Sequence, residues 1–169
     1  YAAILLIFAS GLTAVLRLCL NWTSVRFITG LGHDIDLKIY GTGWKHRFTQ
    51  YQHYIYPLYG DDYITTLKES RICLCFLSKM NRDVYTRRCF EIPGLGKLLL
   101  CERTSEMQEL FKEDQEAVFF SNKQELLKKI EWLLANPSKI EQIAEAGHRR
   151  VFQDGHDIKS RSIEILNNL

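Results

Sequence analysis

Polar side chains that could bind a nucleoside diphosphate lie close together between positions 81 and 91. They are Asn81, Asp83, Thr86, Arg88 and Glu91. The guanidinium of Arg88 can form two parallel hydrogen bonds with phosphate oxygens, so it could act at the diphosphate. An ionised carboxylate only accepts hydrogen bonds, and Glu91 could therefore hold two hydroxyls of a ribose. Residues 81–91 are the first candidate site.

The same stretch also has a simpler interpretation. Arg87 and Arg88 stand four and three residues before Glu91, a spacing at which ion pairs form on any solvent-exposed helix. Spacing alone leaves both interpretations open. The pair of Asp34 and Asp36 suggests a metal, but it leads into a strand-like run, and a solvated loop is the commoner role of such a pair. No His/Cys cluster has the spacing of a zinc site.

Three glycines extend the candidate site to other turns. Gly11 follows the apolar run of residues 1–8, and Gly41 and Gly43 follow the β-rich run of residues 36–40. Glycine lets a backbone approach a ligand closely, which makes these turns candidate binding elements. The Gly-x-Gly pair lacks the third glycine of a dinucleotide-binding fingerprint, so it also fits an ordinary strand end. No G-x-S-x-G or H-E-x-x-H motif supports a hydrolase.

The composition describes a protein of balanced charge with reduced cysteines. The 169 residues include 22 basic and 20 acidic side chains, for a net charge of +2, which excludes a dedicated nucleic-acid or membrane-surface binder. The cysteine count of five is odd, and four cysteines lie in apolar runs, so we expect core thiols and a cytoplasmic location. The apolar segment 1–9 is too short to span a bilayer, and we favour a strand followed by a helix over a membrane segment. His156 is expected at a helical surface or at a helix C-terminus.

Strand-like runs alternate with helix-like runs over most of the chain. Apolar runs predict strands at 1–8, 36–40, 71–77, 97–101 and 117–120, with a further short strand within 51–59. Helices are predicted at 13–29 and at 61–69. A third helix is predicted to follow a loop at 78–83 and to run through Glu91, and the C-terminal third is predicted to be helical. This alternation indicates one α/β domain over residues 1–169, a Rossmann-like three-layer domain with a parallel sheet of about five or six strands and a helical C-terminus.

Boundary signals refine the helices and place the candidate site. Ser121 and Gln124 have capping-box spacing, and Pro137 after Asn136 marks the first residue of another helix. A last helix is predicted from about Asp157 to the end. In open parallel sheets, ligands bind beyond the carboxyl ends of the strands. The candidate site follows a predicted strand and leads into a helix start, whose unpaired N–H groups suit a diphosphate.

From position 81 onward the sequence resembles the CgeB-like (spore maturation) group of GT-B glycosyltransferases. The similarity begins with the pattern Asn81-x-Asp83-x-x-Thr86-x-Arg88-x-Phe90-Glu91-Ile92-Pro93. It continues through the runs Glu102-Arg103-Thr104, Glu109-Leu110-Phe111, Glu116-Ala117-Val118-Phe119-Phe120, Glu125-Leu126 and Ile143-Ala144-x-Ala146-Gly147, with an upstream run at 36–41. Roughly residues 35–165 are covered. The combined pattern is specific, whereas each piece alone is not.

The resemblance assigns roles within the 81–91 stretch. Retaining GT-B transferases have two acidic residues eight positions apart at this point, and Asp83 and Glu91 occupy those positions. The resemblance implies that Glu91 binds the donor ribose, while Asp83, near the donor sugar, and Arg88, near the diphosphate, act in catalysis. Asn81 and Thr86 are implied donor-binding residues. The first acid is Asp here rather than Glu, which leaves the role of Asp83 open.

The resemblance also implies an activity: transfer of a sugar from a nucleotide-sugar donor to an unknown acceptor. Such enzymes are generally metal-independent, so no metal or other cofactor is expected, and protein donors would stabilise the departing diphosphate. The acceptor site belongs largely to an N-terminal domain that these residues do not include, so the isolated chain should transfer nothing. Expected partners are the nucleotide-sugar and that domain, without nucleic acid or a membrane span. The alternative is a non-catalytic nucleotide-binding or scaffold module that keeps the C-terminal half of the GT-B fold.

Overall fold

Five parallel strands form the centre of the structure, a computed structural model that describes residues 3–7, 36–40, 57–79 and 81–168. The strands are β1 (Ala3–Ile7), β2 (Asp36–Tyr40), β3 (Ile72–Cys75), β4 (Leu98–Glu102) and β5 (Val118–Phe120). Their order in the sheet is β2-β1-β3-β4-β5, and every neighbouring pair is parallel. The parallel sheet of about five strands expected from the sequence is confirmed.

Six helices accompany the strands within the described residues. They are α1 (Gly60–Glu69), α2 (Arg88–Gly94), α3 (Ser105–Leu110), α4 (Lys123–Ala135), α5 (Pro137–Gln153) and α6 (Ile158–Asn167). The helices α1, α2 and α3 each connect two consecutive strands, and the last three follow β5 as the helical C-terminus. None of the helices in the described part of the chain is long and apolar enough to cross a membrane.

The two faces of the sheet have separate cores, because side chains alternate along each strand. One face is aliphatic and aromatic and packs against α4 and the first half of α5. The other face packs against α1, α2 and α3 and contains a thiol layer, which we define as Cys73, Cys75, Cys89 and Cys101. Strands covered on both faces have continuous apolar sequences, which is why runs such as that of β3 lack polar residues. As expected, Cys73 and Cys75 share a face.

Helix α5 reaches both cores. Ile143 belongs to the aliphatic core, whereas Val151, two turns later, belongs to the core with the thiol layer. Gly147 lies between them, and a Cβ atom there would stand 2.3 Å from the carbonyl oxygen of Glu116 and 3.4 Å from Cβ of Pro93. Only glycine allows this approach of α5 to α2 and to the start of β5.

Several predicted boundaries are wrong by a few residues. The helix that contains Glu91 begins at Arg88 rather than directly after the 78–83 loop, because residues 84–87 form a bend and a turn in which Thr104 holds the Val84 carbonyl. The N-cap of α4 is Asn122 rather than Ser121, since Asn122 has the extended backbone that a cap requires and its Oδ1 accepts the Glu125 N–H at 2.9 Å. Residues 57–59 form no strand. The rest of the strand predicted within 51–59, and the helix predicted at 13–29, lie outside the described residues.

Candidate functional site

The candidate site lies where β3 and β4 end side by side. The two strands are parallel and in register, with Cys75 opposite Cys101, so the segments that follow them meet at one edge of the sheet. These segments are the site loop, which we define as residues 76–79 and 81–84, and the turn at residues 103–104 that begins α3. The predicted binding glycines Gly11, Gly41 and Gly43 lie outside the described residues, and their roles stay predictions.

The first end of the site loop is fixed by Glu102, the last residue of β4. The Glu102 side chain is 12% exposed. Its Oε2 accepts the backbone N–H of Leu77 at 2.8 Å, and its Oε1 pairs with the ammonium of Lys79 at 3.1 Å. Both carboxylate oxygens therefore hold residues of the same loop.

The far end of the site loop is fixed by Thr104. The Thr104 hydroxyl donates to the carbonyl oxygen of Val84 at 2.7 Å. The same hydroxyl accepts the backbone N–H of Met107 at 3.1 Å, which makes Thr104 the N-cap of α3. One side chain thus stabilises a helix start and holds the loop to it. Sequence reasoning assigned no separate role to Glu102 or Thr104.

Between these ends, Asp83 closes a small turn with Ser78. The Ser78 N–H donates to Oδ2 of Asp83 at 3.3 Å, and the Asp83 N–H donates to the Ser78 carbonyl at 3.0 Å. Asn81 is exposed, and its backbone N–H donates to Ser78 Oγ at 3.3 Å. Arg82 has a left-handed backbone, with φ of 53°. The structure therefore brings Asn81 and Asp83 together on one turn.

The Thr86 side chain is directed toward the thiol layer. Its hydroxyl lies 3.9 Å from the sulfur atoms of both Cys75 and Cys89, and its carbonyl accepts the Cys89 N–H at 2.9 Å. Thr86 therefore anchors the start of α2 against the end of β3. Its predicted contact with a ligand stays a prediction.

Glu91 is held by two side chains in the first turn of α2. Its Oε2 accepts the hydroxyl of Tyr63 at 3.1 Å, and its Oε1 pairs with Nε of Arg87 at 2.8 Å. The Glu91 side chain is 30% exposed and that of Arg87 is 84% exposed. The ion pair expected from the simpler interpretation is thus present, four residues apart.

Tyr63 joins this cluster from α1, and local sequence gives no signal for it. Burial, together with the negative charge of Glu91, raises the pKa of Tyr63 well above its ordinary value. The positive charge of Arg88 opposes that rise, so Arg88 lies within electrostatic reach of the same hydroxyl. We name Tyr63, Arg87, Arg88 and Glu91 the Glu91 cluster.

A second charged cluster, centred on Arg103, lies beside the ends of β4 and β5. The guanidinium donates to Glu113 at 3.2 Å and to Glu125 at 3.0 Å, and also contacts the Ser121 hydroxyl. The hydrogen bonds from Arg103 hold the pKa of Glu125 at about 2, and Glu125 in turn raises the pKa of Arg103. We name Arg103, Glu113, Ser121 and Glu125 the Arg103 cluster.

The thiol layer lies beneath the site. Its four cysteines are free and fully buried. Burial raises the pKa of Cys73 to about 12 and raises that of Cys101 well above its ordinary value. Among the residues that the structure describes, no group of three or more His, Cys, Asp or Glu side chains is arranged to hold a metal ion.

An open groove of about 520 Å³ lies outside α2 and α3, and none of the predicted site residues lines it. His156 forms part of its wall and packs on Phe90, with ring centroids 4.8 Å apart. Arg161 lies 2.9 Å from His156 Nδ1. His156 lies just after the C-terminal end of α5, one of the two positions expected for it, and its side chain is 12% exposed because it packs between Phe90 and α6.

The sequence matches the model of a known protein family. Residues 23–167 match the model of a family described as glycosyl transferase-like. That match covers well over half of the chain. None of the curated proteins matches the sequence.

Solved structures share the fold at low sequence identity. HepE from Anabaena in complex with UDP-glucose has a TM-score of 0.73 and 14% identity, over 99% of this chain and 49% of that one. Sucrose-phosphate synthase from Thermosynechococcus elongatus has a TM-score of 0.70 and 12% identity, over 99% of this chain and 45% of that one. The C-terminal domain of a glycosyl transferase group 1 family protein from Francisella tularensis has a TM-score of 0.59 and 12% identity, over 90% and 85%. The chain thus spans less than half of the first two proteins and most of the third.

Proposed function

Because the chain belongs to the glycosyl transferase-like family, we propose that it binds the nucleotide-sugar donor in a sugar-transfer reaction. The expected Rossmann-like fold, that of the C-terminal half of a GT-B enzyme, is confirmed by the parallel sheet and by the Francisella domain that shares it. One observation carries the proposal: Glu91 stands in the first turn of α2 beside Tyr63 and within reach of the charge of Arg88. A carboxylate and a guanidinium thus stand three residues apart at the start of this helix, where we propose that a ribose and a diphosphate bind.

Each predicted site residue has a role in this proposal. Glu91 accepts hydrogen bonds from the ribose hydroxyls, and Tyr63 orients its carboxylate. Arg88 donates to the diphosphate, and Asp83 lies near the donor sugar. The exposed position of Asn81 leaves its amide accessible to the donor. Thr86 and the glycines Gly11, Gly41 and Gly43 complete the proposed donor-binding set.

The proposed chemistry needs no redox step. The bond between the anomeric carbon and the phosphate oxygen breaks, and the nucleoside diphosphate leaves with the electron pair. The acceptor oxygen bonds to the anomeric carbon, and its proton passes to an oxygen of the departing diphosphate or to water. Arg88 and backbone N–H groups stabilise the charge that develops on the diphosphate, so we propose transfer without a metal ion.

The chain is proposed to hold half of the reaction site. The chain spans 49% of HepE and 45% of sucrose-phosphate synthase, and we propose that an N-terminal domain supplies the acceptor. The isolated chain would then bind donor and transfer nothing. The pattern from Asn81 to Pro93 supports membership of the CgeB-like branch, and four free thiols support a reducing compartment such as the cytoplasm.

A second candidate function is a scaffold module that does not bind donor. It is favoured by the internal pairing of Glu91, since Tyr63 and Arg87 engage both of its carboxylate oxygens. The two candidates differ in whether a ligand replaces Arg87 at Oε1 of Glu91.

Thermal unfolding with UDP, GDP and TDP separates the two functions. A ligand at 100 times its Kd stabilises the folded state by about 2.7 kcal/mol, which raises the melting temperature measurably. We expect one of the three nucleotides to do so. Substitution Arg88→Ala should weaken the nucleoside diphosphate more than the bare nucleoside. No response to any nucleotide would favour the scaffold module.

A further inference from the structure

We propose that Glu102 and Thr104 are positioning residues that set the geometry of the site loop for the donor. The inference rests on the proposed function, because the loop contains Asn81 and Asp83. Neither Glu102 nor Thr104 needs to touch the donor. Glu102, at the end of β4, binds the backbone N–H of Leu77, and Thr104, in the turn after β4, binds the backbone carbonyl of Val84. Asn81 and Asp83 lie between these two contacts.

The Glu102 contact is strong because its carboxylate is enclosed. Hydrogen bonds to an ionised group are roughly twice as strong as neutral ones, and enclosure from water strengthens them further. The Glu102 side chain is 12% exposed, and both of its oxygens are used by Leu77 and Lys79. This contact fixes the chain where it leaves the buried strand β3.

The Thr104 contact fixes the chain on the other side of Asp83. Val84 directly follows Asp83, and its carbonyl oxygen accepts the Thr104 hydroxyl at 2.7 Å. With Leu77 and Val84 both held, the segment between them is closed by the hydrogen bonds between Ser78 and Asp83. The position of Asp83 is therefore set by two side chains about twenty residues later in the sequence.

Packing does little to hold this segment. Phe76 and Leu77 are buried at its start, but Asn81, Arg82 and Val84 are exposed, so these three residues bury little apolar surface. A segment with few buried contacts opens locally at low free-energy cost unless hydrogen bonds hold it. Loss of the Thr104 contact should therefore loosen the loop more than it destabilises the domain.

The chain offers a matched control for the capping role of Thr104. Thr104 caps α3 and Asn122 caps α4, and each side chain accepts one backbone N–H in the first helical turn. Thr104 alone of this pair also donates to the site loop. Thr104→Val and Asn122→Ala should thus lower the melting temperature to a similar extent, while only the first should change the loop.

Two measurements test the proposal on the 169-residue chain. In calorimetric titrations with the nucleoside diphosphate that binds the unaltered chain, we expect Thr104→Val to weaken affinity about 5- to 20-fold. Thr104→Ser, which keeps the hydroxyl, should stay within about twofold, as should Asn122→Ala. Glu102→Gln keeps an acceptor for the Leu77 N–H but loses the charge paired with Lys79, so a smaller weakening of about threefold is expected. Trypsin should cut after Arg82 faster in Thr104→Val than in Asn122→Ala.

The outcomes separate the two proposals. If the unaltered chain binds a nucleoside diphosphate and Thr104→Val binds it equally well, the positioning role is overturned and the proposed function stands. If the unaltered chain binds none of them, both are overturned. Equal trypsin cleavage in Thr104→Val and Asn122→Ala would also overturn the positioning role.

Discussion

The Glu91 cluster and the Arg103 cluster both pair arginine with glutamate, and they differ in how far the paired side chains are enclosed from solvent. The ion pair of Glu91 is with Arg87, whose side chain is 84% exposed. The side chains of Arg103, Glu113 and Glu125 are each about one quarter exposed, and the guanidinium bridges both carboxylates. A ligand can replace a solvated arginine at little cost, whereas it cannot enter a cluster whose donors are already used.

The solvent exposure of the paired side chains distinguishes binding residues from structural ones better than the residue types of the two clusters do. Both clusters lie near the carboxyl ends of the strands, and both include arginine and glutamate. The Arg103 cluster connects the ends of β4 and β5 to the start of α4 through Ser121 and Glu125. We therefore assign it to stability and the Glu91 cluster to the donor, and four substitutions or conditions test that assignment.

The largest effect is expected from Arg103→Met. The change leaves Glu113 and Glu125 close together, partly enclosed and without their cation, so we expect the free energy of unfolding to fall by about 3 kcal/mol. Urea denaturation measures it. The affinity of the folded protein for a nucleoside diphosphate should stay within about twofold. A large loss of affinity in Arg103→Met would contradict the assignment, because it would mean that the Arg103 cluster binds the donor.

Glu91→Gln should have the opposite effect, with a large loss of nucleotide affinity and little loss of stability. Gln keeps the size and one acceptor oxygen but loses the charge, so nucleotide affinity should fall by about 1–3 kcal/mol, or about 5- to 150-fold. The free energy of unfolding should change by less than about 1 kcal/mol. Calorimetric titration compares the two proteins. Equal affinities would remove the main residue-level support for donor binding.

Acid should weaken the Arg103 cluster. Arg103 lowers the pKa of Glu125 from 4.5 to about 2, so the ionised carboxylate stabilises the folded state above pH 4.5. That contribution is lost as the pH falls from 4.5 toward 2, and with allowance for solvent screening we expect it to be about 1–2 kcal/mol. Urea denaturation at pH 7, 4.5 and 3 measures it. Glu125→Gln should show a shallower pH dependence, and an unchanged slope would contradict the assignment.

The smallest effect is expected from Arg87→Ala. An exposed ion pair four residues apart contributes less than about 0.5 kcal/mol, and a ligand would replace it in any case. Both the free energy of unfolding and the nucleotide affinity should stay close to those of the unaltered chain. Arg149→Ala is the matched control, because Arg149 forms an exposed pair of the same spacing with Glu145. A tenfold loss of affinity for Arg87→Ala alone would make Arg87 a ligand-binding residue.

The fold could be predicted from the sequence because each element has a local signal. The β2 strand was predicted with its observed bounds, and α1 was predicted to within one residue. The start of α2 was placed too early because its position depends on distant hydrogen bonds. Nothing within the loop sequence shows that Val84 is held by Thr104.

The candidate site could be predicted only in part, for the same reason. The residues from Asn81 to Glu91 lie close in sequence, and the parallel sheet brings them to the expected edge. Tyr63 reaches Glu91 from 28 residues away, and Glu102 reaches Leu77 from 25 residues away. Such contacts depend on strand order and helix packing, which short patterns do not encode.

The buried cysteines of the thiol layer can be used to measure local opening of the domain. A buried thiol reacts with iodoacetamide only while its surroundings are transiently open, so the alkylation rate of each cysteine reports on local opening around it. Cys89 reports on α2 beneath the Glu91 cluster, and Cys73 reports on the interior of the sheet. Peptide mass spectrometry reads each position separately. The order in which Cys89 and Cys73 become labelled would show whether the helix beneath the site detaches before the sheet separates.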